Sequence, residues 1–276
     1  MIASFSAELL KLAKRPGVWV VSGVWLALSL VFEYLFPYLS YRGQSVGPPS
    51  GAGRQLLAQL LPSHFVTTAV AGWPYFGGAL ILVLGALVTG SEFSWGSLKT
   101  ILAQGPRRHS VLAGKLLAVG VIVMLLGVAG FAASAGLSAL IAAAESQAAS
   151  WPSPGDVFRG IGVGWLVLVM WSMAGMFLGV LTRGTSLAIG LGVIWVLAVE
   201  QLVRGFAPLI GALDTLERWL PGTNAGGLVA AIGVAARSTA GVTAVVGGMH
   251  ALLVVVAYIV GFSVLASIVL SRRDVA

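Results

Sequence analysis

Six long apolar runs decide what this chain can fold into. They cover roughly residues 17–36, 69–90, 113–140, 158–181, 185–203 and 246–270. Each holds about 19 residues or more, close to what an α-helix needs to cross the hydrocarbon of a bilayer. In lipid, every backbone N–H and C=O must find its partner within the segment, and a helix provides that. The chain is 58% hydrophobic and 9% charged, where a soluble domain carries about 25% charged residues. It cannot cover a water-facing surface. The expectation is an all-α polytopic membrane protein, one transmembrane domain over residues 1–276. The first run is too long for the apolar core of a signal peptide, and "PYLSYRGQ" after it has no small-x-small cleavage site. The chain has no cysteine, which excludes disulfides and thiolate chemistry.

Before the first run lies "MIASFSAELLKLAKRPG". Ile2, Phe5, Leu9 and Leu12 recur at helical spacing, with Glu8, Lys11, Lys14 and Arg15 on other faces. This pattern predicts a short amphipathic helix lying at the membrane surface. Pro16 and Gly17 stop it before the chain enters the bilayer.

The 16 Lys and Arg residues set the orientation. Ten fall on one side of the six runs: Lys11, Lys14, Arg15, Lys99, Arg107, Arg108, Lys115, Arg183, Arg272 and Arg273. Six fall on the other: Arg42, Arg54, Arg159, Arg204, Arg218 and Arg237. The positive-inside rule makes the side with ten cytoplasmic and puts both termini inside. These cations sit at membrane edges and form no basic stripe, which argues against nucleic acid as a partner. Two longer connections, 37–68 and 204–245, then lie outside. In the second, Pro221-Gly222 splits two short amphipathic segments. These either pack on the bundle within the outer leaflet or rest on its surface.

Residues 92–115, "EFSWGSLKTILAQGPRRHSVLAGK", interrupt the apolar pattern. Trp95, Leu98, Ile101 and Leu102 share one face of a short helix, with Lys99 off that face. Gly105 and Pro106 end the helix, and Arg107, Arg108 and His109 follow. One reading is a loop whose cations meet anionic lipid headgroups. The other is a helix on which a cytoplasmic partner docks.

The stretch "EFSWGSLKTILAQGPRRHSVLAGKLLA" resembles the segment after the second span of type-2 ABC exporter permeases, especially actinobacterial ones. The matching positions are Glu92, Gly96-Ser97-Leu98, Gly105, Arg108 and Gly114-Lys115-Leu116. "AELLKLAKRPGVWV" resembles that family's opening at Glu8, Lys11 and Arg15, and "ERWLPGTNAGGL" its Leu-Pro stretch before the last span. His109-Ser110 depart from it, since relatives often continue with more Arg. The resemblance implies a permease that pairs with a second permease, identical or homologous, and receives separate ATPase subunits on its cytoplasmic face. ATP and Mg would be bound by those subunits. Residues 92–104 would be the coupling helix, with Glu92, Trp95, Leu98, Lys99, Leu102 and Arg108 meeting the ATPase. By the same resemblance the second and fifth spans line the path, which makes Trp73, Tyr75, Phe76, Ile194, Trp195 and Leu197 lining candidates.

Several absences bear on the alternatives. Gly114-Lys115 is followed by Leu116, and position 109 is His where a phosphate-binding loop needs Gly, so this chain holds no ATP by that motif. It is not read as an enzyme. The span centres carry no ionisable residue, which argues against a proton-coupled carrier. Glu33 and Glu200 lie near outer ends and are expected to be solvated there, the alternative being an outer vestibule. Ser172 and His250 are the one imaginable pair for an intramembrane protease, but "MWSMAGM" lacks the turn that would expose the hydroxyl. Gly160/Gly164 and Gly175/Gly179 are expected to be helix–helix contacts. The reading is an ATP-driven exporter of a hydrophobic or amphipathic substrate (drug, antibiotic or lipid) in a bacterial plasma membrane. The alternative is an ATP-independent carrier or scaffold.

Overall fold

The computed structural model describes residues 2–44, 51–94, 108–235, 239, 241–242 and 244–272. The chain is helical almost throughout these residues, and no strand occurs among them. Six stretches are long and apolar enough to cross a membrane: Pro16–Gly43, Pro62–Ser94, Ser110–Ala144, Pro154–Thr182, Thr185–Phe206 and Gly248–Arg272. They are the first to sixth spans, and each overlaps one expected run. A surface helix, Ile2–Ala13, precedes them. Arg15 is extended, with φ −84° and ψ 117°, as a residue before proline is held, and Pro16 opens the first span. The end of the bundle carrying this helix is the base.

The first span runs past its expected end at residue 36 because Pro37 does not stop the helix, and the second also runs longer than expected, Pro62–Ser94. Pro37 has no N–H to give the carbonyl four residues back, and the turn before it, Val31–Leu35, is π-helical. In the second span Pro74 lies in the π-helical turn Trp73–Gly77, where the N–H of Gly77 reaches the carbonyl of Gly72 at 3.0 Å. Such wider turns absorb a missing hydrogen bond within a continuing helix. A third π-helical turn, Trp195–Val199, lies in the fifth span.

Other boundaries have local causes. Ser153 caps the fourth span: its Oγ accepts from the Asp156 N–H at 3.2 Å and donates to Asp156 Oδ2 at 2.7 Å, a reciprocal cap. The turn into the fifth span takes two residues, Arg183 at φ 54° and Gly184. Far from the base, Glu145 ties the third span to the first, accepting from Tyr38 at 2.8 Å and Tyr41 at 3.1 Å and pairing with Arg42 at 2.9 Å. These partners, Tyr38 first, hold its carboxyl below the usual range.

The second and fourth spans form the centre, and glycine brings them together. A Cβ on Gly85 would overlap the carbonyl oxygen of Ser172, one on Gly175 that of Leu82, and one on Gly179 the hydroxyl of Thr89. The expected GxxxG contacts therefore form: backbone meets backbone at Gly175, while Gly179 admits the Thr89 hydroxyl and Gly160 the side chain of Val66. Lipid tails are as apolar as leucine, so helices in a bilayer associate through such close packing and not through water exclusion. Next to this seam, Gly164 admits the ring of Trp73. Trp73 packs on Trp25 and Phe131 at centroid distances of 5.1 and 5.6 Å, joining the first, second and third spans.

Gly175→Val is expected to cost about 1–3 kcal/mol, as overpacking does, and to lower the unfolding midpoint in detergent. Gly162→Ala, where the added carbon meets nothing within 4 Å, should leave that midpoint unchanged. Size-exclusion chromatography with a thermal ramp reads both.

Candidate functional site

At the base, four charged side chains from three separate segments meet inside the protein. Glu8 and Lys11 come from the surface helix, Glu92 from the end of the second span and Lys115 from the start of the third. Lys115 Nζ lies 3.0 Å from Glu8 Oε2 and 2.7 Å from Glu92 Oε1. Lys11 Nζ lies 2.9 Å from Glu8 Oε1 and also pairs with Glu92 Oε1. Side-chain exposure is 3% for Lys115, 2% for Glu92 and 7% for Glu8, against 30% for Lys11. Two acids and two bases balance, which a cluster out of water requires.

The local sequence makes this approach possible. On the surface helix, Glu8 and Lys11 are one turn apart and face the same way. Gly114 lets the helix backbone come close, since a Cβ there would lie 2.9 Å from Phe5 N. Burial alone would depress the Lys11 ammonium, but Glu92 and then Glu8 outweigh it and raise its pKa. The stability Lys11 contributes is thus full below the ordinary lysine value of about 10.4. It is lost as pH rises through the higher folded value.

Far from the base, Glu200 organises a second polar centre. Its Oε1 accepts from the Trp195 indole at 3.0 Å and from the Gly222 backbone at 3.2 Å, and Oε2 lies 3.4 Å from Arg204. Arg204 also donates to Thr223 at 3.2 Å. The helix Pro221–Ala230 is buried over most of its length, so this half of the 204–245 connection packs into the bundle. Asn224 fastens it further, donating to the carbonyls of Arg218 and Leu220 at 2.9 and 2.8 Å.

Both outer acids therefore correct the sequence expectation. Glu33 is 9% exposed and Glu200 1%; neither is solvated. A carboxylate this far along a span has no water to turn to once neighbouring helices close over it, so it is held by protein groups or by a group that enters from outside.

The sequence model of the family described as ABC-2 family transporter protein matches residues 4–199. The chain belongs to that family. It is the membrane permease subunit of an ABC transporter, the transmembrane component and not the ATPase. A search of curated proteins found no match.

In this ABC-2 permease the motif positions Glu8, Lys11, Glu92, Gly114 and Lys115 converge on one cluster, although up to 107 residues separate them. Glu92 was expected to meet the ATPase. In the structure it is buried at the end of the second span and paired with Lys11 and Lys115. Lys115, placed by sequence at the mouth of the third span, is buried as its partner. The signal for both was their position at the very edge of an apolar run. Trp95, Leu98, Lys99 and Leu102 lie outside the described residues, and Arg108 opens the helix Arg108–Ala144.

Among the lining candidates, Trp73 is also corrected. It is 1% exposed and fills the space left by Gly164, so it is part of the core. Phe76, Ile194 and Trp195 are exposed, and Tyr75 donates to the Leu197 carbonyl at 3.3 Å, joining the second and fifth spans. Ser172 and His250 do not pair. Ser172 donates to the Val169 carbonyl at 2.8 Å, and His250 lies 3.2 Å from the Arg218 carbonyl and packs on Trp219.

Glu92→Gln should cost about 3–5 kcal/mol, because it leaves a buried lysine unbalanced. Adding Lys115→Met should recover much of that loss, since Glu8 and Lys11 remain as a pair. Unfolding midpoints of the two variants decide this. Gly222→Ala puts a carbon onto Glu200 Oε2 and should release the Pro221–Ala230 helix, read as faster hydrogen exchange over residues 219–230.

Proposed function

We propose that this permease is the membrane half of an ATP-driven exporter in a bacterial plasma membrane, with both termini in the cytoplasm. It pairs with a second permease and takes a separate ATPase on its cytoplasmic face. The observation that supports this most is the Glu8–Lys11–Glu92–Lys115 cluster. It locks the surface helix to the second and third spans at Glu92, the first residue of the stretch 92–104 that resembles a coupling helix. A partner pushing on either element moves both, and the motion passes into the second span as a rigid body. The cations Lys99 and Arg108 would meet acidic groups on the ATPase.

The cargo path runs between the two permeases along the second and fifth spans. The exposed side chains there, Phe76, Ile194 and Trp195, are apolar or aromatic, which suits a hydrophobic or amphipathic cargo. Movement is outward, away from the side where ATP is spent.

Tagged protein purified in mild detergent should carry a stoichiometric P-loop ATPase, identified by mass spectrometry. Lys99→Glu and Arg108→Glu should each reduce that ATPase by about tenfold, the loss of one charged contact of roughly 1.4 kcal/mol. Absence of any ATPase across several detergents would refute the proposal and favour an ATP-independent carrier.

A further inference from the structure

Between the first and second spans, away from the base, lies a cavity of about 440 Å³. Its one buried carboxyl is Glu33. Among the described residues Glu33 Oε1 has no side-chain hydrogen-bond partner, the Gly72 backbone being the polar group beside it; His64 lines the space, and no described Lys or Arg does. Gly72 stands beside the carboxylate: a Cβ there would lie 3.3 Å from Oε1. This acid sits on the π-helical turn Val31–Leu35 and faces the span whose own π-helical turn begins at Trp73. Such turns recur at functional sites because they redirect side chains within a helix.

The remaining lining says what the carboxylate could receive. Thr67 and Thr68 line the cavity, and their hydroxyl protons are already given to the carbonyls of His64 and Gln59, each at 2.8 Å. What they offer an occupant is oxygen lone pairs. With the Glu33 carboxyl, these oxygens form an acceptor-rich wall in a lining shared with Gln59, His64 and Thr239, and a cation that donates hydrogen bonds would match that wall and balance a Glu33 carboxylate. Phe32 and Phe76, also lining, stack at 6.0 Å with planes 5° apart and stand half exposed. They form a flat aromatic wall on which a cation or an apolar body can lie. A calcium ion is ordinarily held by several carboxylates among about six to eight oxygen ligands, and this lining has one carboxyl group.

We infer that this cavity binds an organic ammonium group, with the ammonium on Glu33 and its apolar body against Phe32 and Phe76. The group belongs either to a free amphipathic amine or to the amine headgroup of a lipid. That the occupant is cargo rests on the exporter reading; that it binds does not, and binding is what the experiment measures.

The full chain is placed in nanodiscs of phosphatidylglycerol, without ATP. Rhodamine 6G, a lipophilic cation that donates hydrogen bonds, is titrated by fluorescence anisotropy, with Nile red as the neutral comparison. Saturable rhodamine binding is expected. Glu33→Gln, which keeps shape and removes charge, should weaken it about tenfold, the worth of one charge-assisted hydrogen bond, and leave Nile red unchanged. Phe76→Ala, on the exposed side of the cavity, should weaken it about threefold, as loss of an exposed cation–π contact does. This arm stands by itself if Glu33→Gln does not fold. Discs containing phosphatidylethanolamine separate the two sources. Loss of rhodamine binding there assigns the site to a lipid amine, and unchanged binding assigns it to a free amine. Equal binding by wild type and the variants, or no saturable binding by wild type in phosphatidylglycerol, overturns the inference. Neither result depends on whether an ATPase copurifies.

Discussion

Close contact between the second and fourth spans underlies the rest of the molecule. Gly85, Gly175 and Gly179 bring two backbones to within touching distance, and no larger residue fits there. In a bilayer, apolar side chains gain nothing by leaving lipid for each other. Cohesion comes from dense van der Waals packing, which smooth glycine surfaces maximise. With these two helices held together, Trp73 has a fixed slot beside Gly164, and the first and third spans can pack on its ring. The fifth span joins the same centre, where Gly192 meets the side chain of Leu82.

On this frame the polar groups are distributed unevenly. At the base, four ions satisfy one another and bind three segments into a single block. At the other end, Glu200 is satisfied by an indole, a backbone amide and Arg204, and fastens a buried helix between the last two spans. Glu33, by contrast, has a buried carboxyl oxygen with no side-chain partner among the described residues. A buried acid costs free energy unless something compensates it; the two paired centres hold segments together, and the Glu33 carboxyl is where the proposed ammonium would be received. A transporter needs both: blocks that carry force without deforming, and a site whose best partner is not its own.

Much of this could be read from residues alone. The six apolar runs gave the six spans, and the period of Ile2, Phe5, Leu9 and Leu12 gave the surface helix. The paired glycines of the fourth span announced a helix contact. The sequence also singled out Glu8, Lys11, Glu92 and Lys115 as family positions. What stayed hidden was that they touch. Periodicity places a residue on a face of its own helix and does not say what the face meets, so Lys11 and Glu92 looked like separate surface charges. Glu33 and Glu200 were misread for the same reason: distance from a span centre suggests water, but a loop helix folding back removes it. Trp73 was misplaced because an aromatic at the outer part of a span looks alike whether it faces lipid, a path or a glycine.

Sequence by itself determined that this chain crosses a membrane six times as helices, because length and apolarity leave the backbone no other way to satisfy its hydrogen bonds in lipid. It also determined where helices could approach most closely, since only glycine lacks the atom that would keep them apart. Tertiary structure decided which charges are neutralised and which are left waiting. Burial and pairing depend on neighbours brought in from far along the chain, and no local pattern in the sequence carries that information.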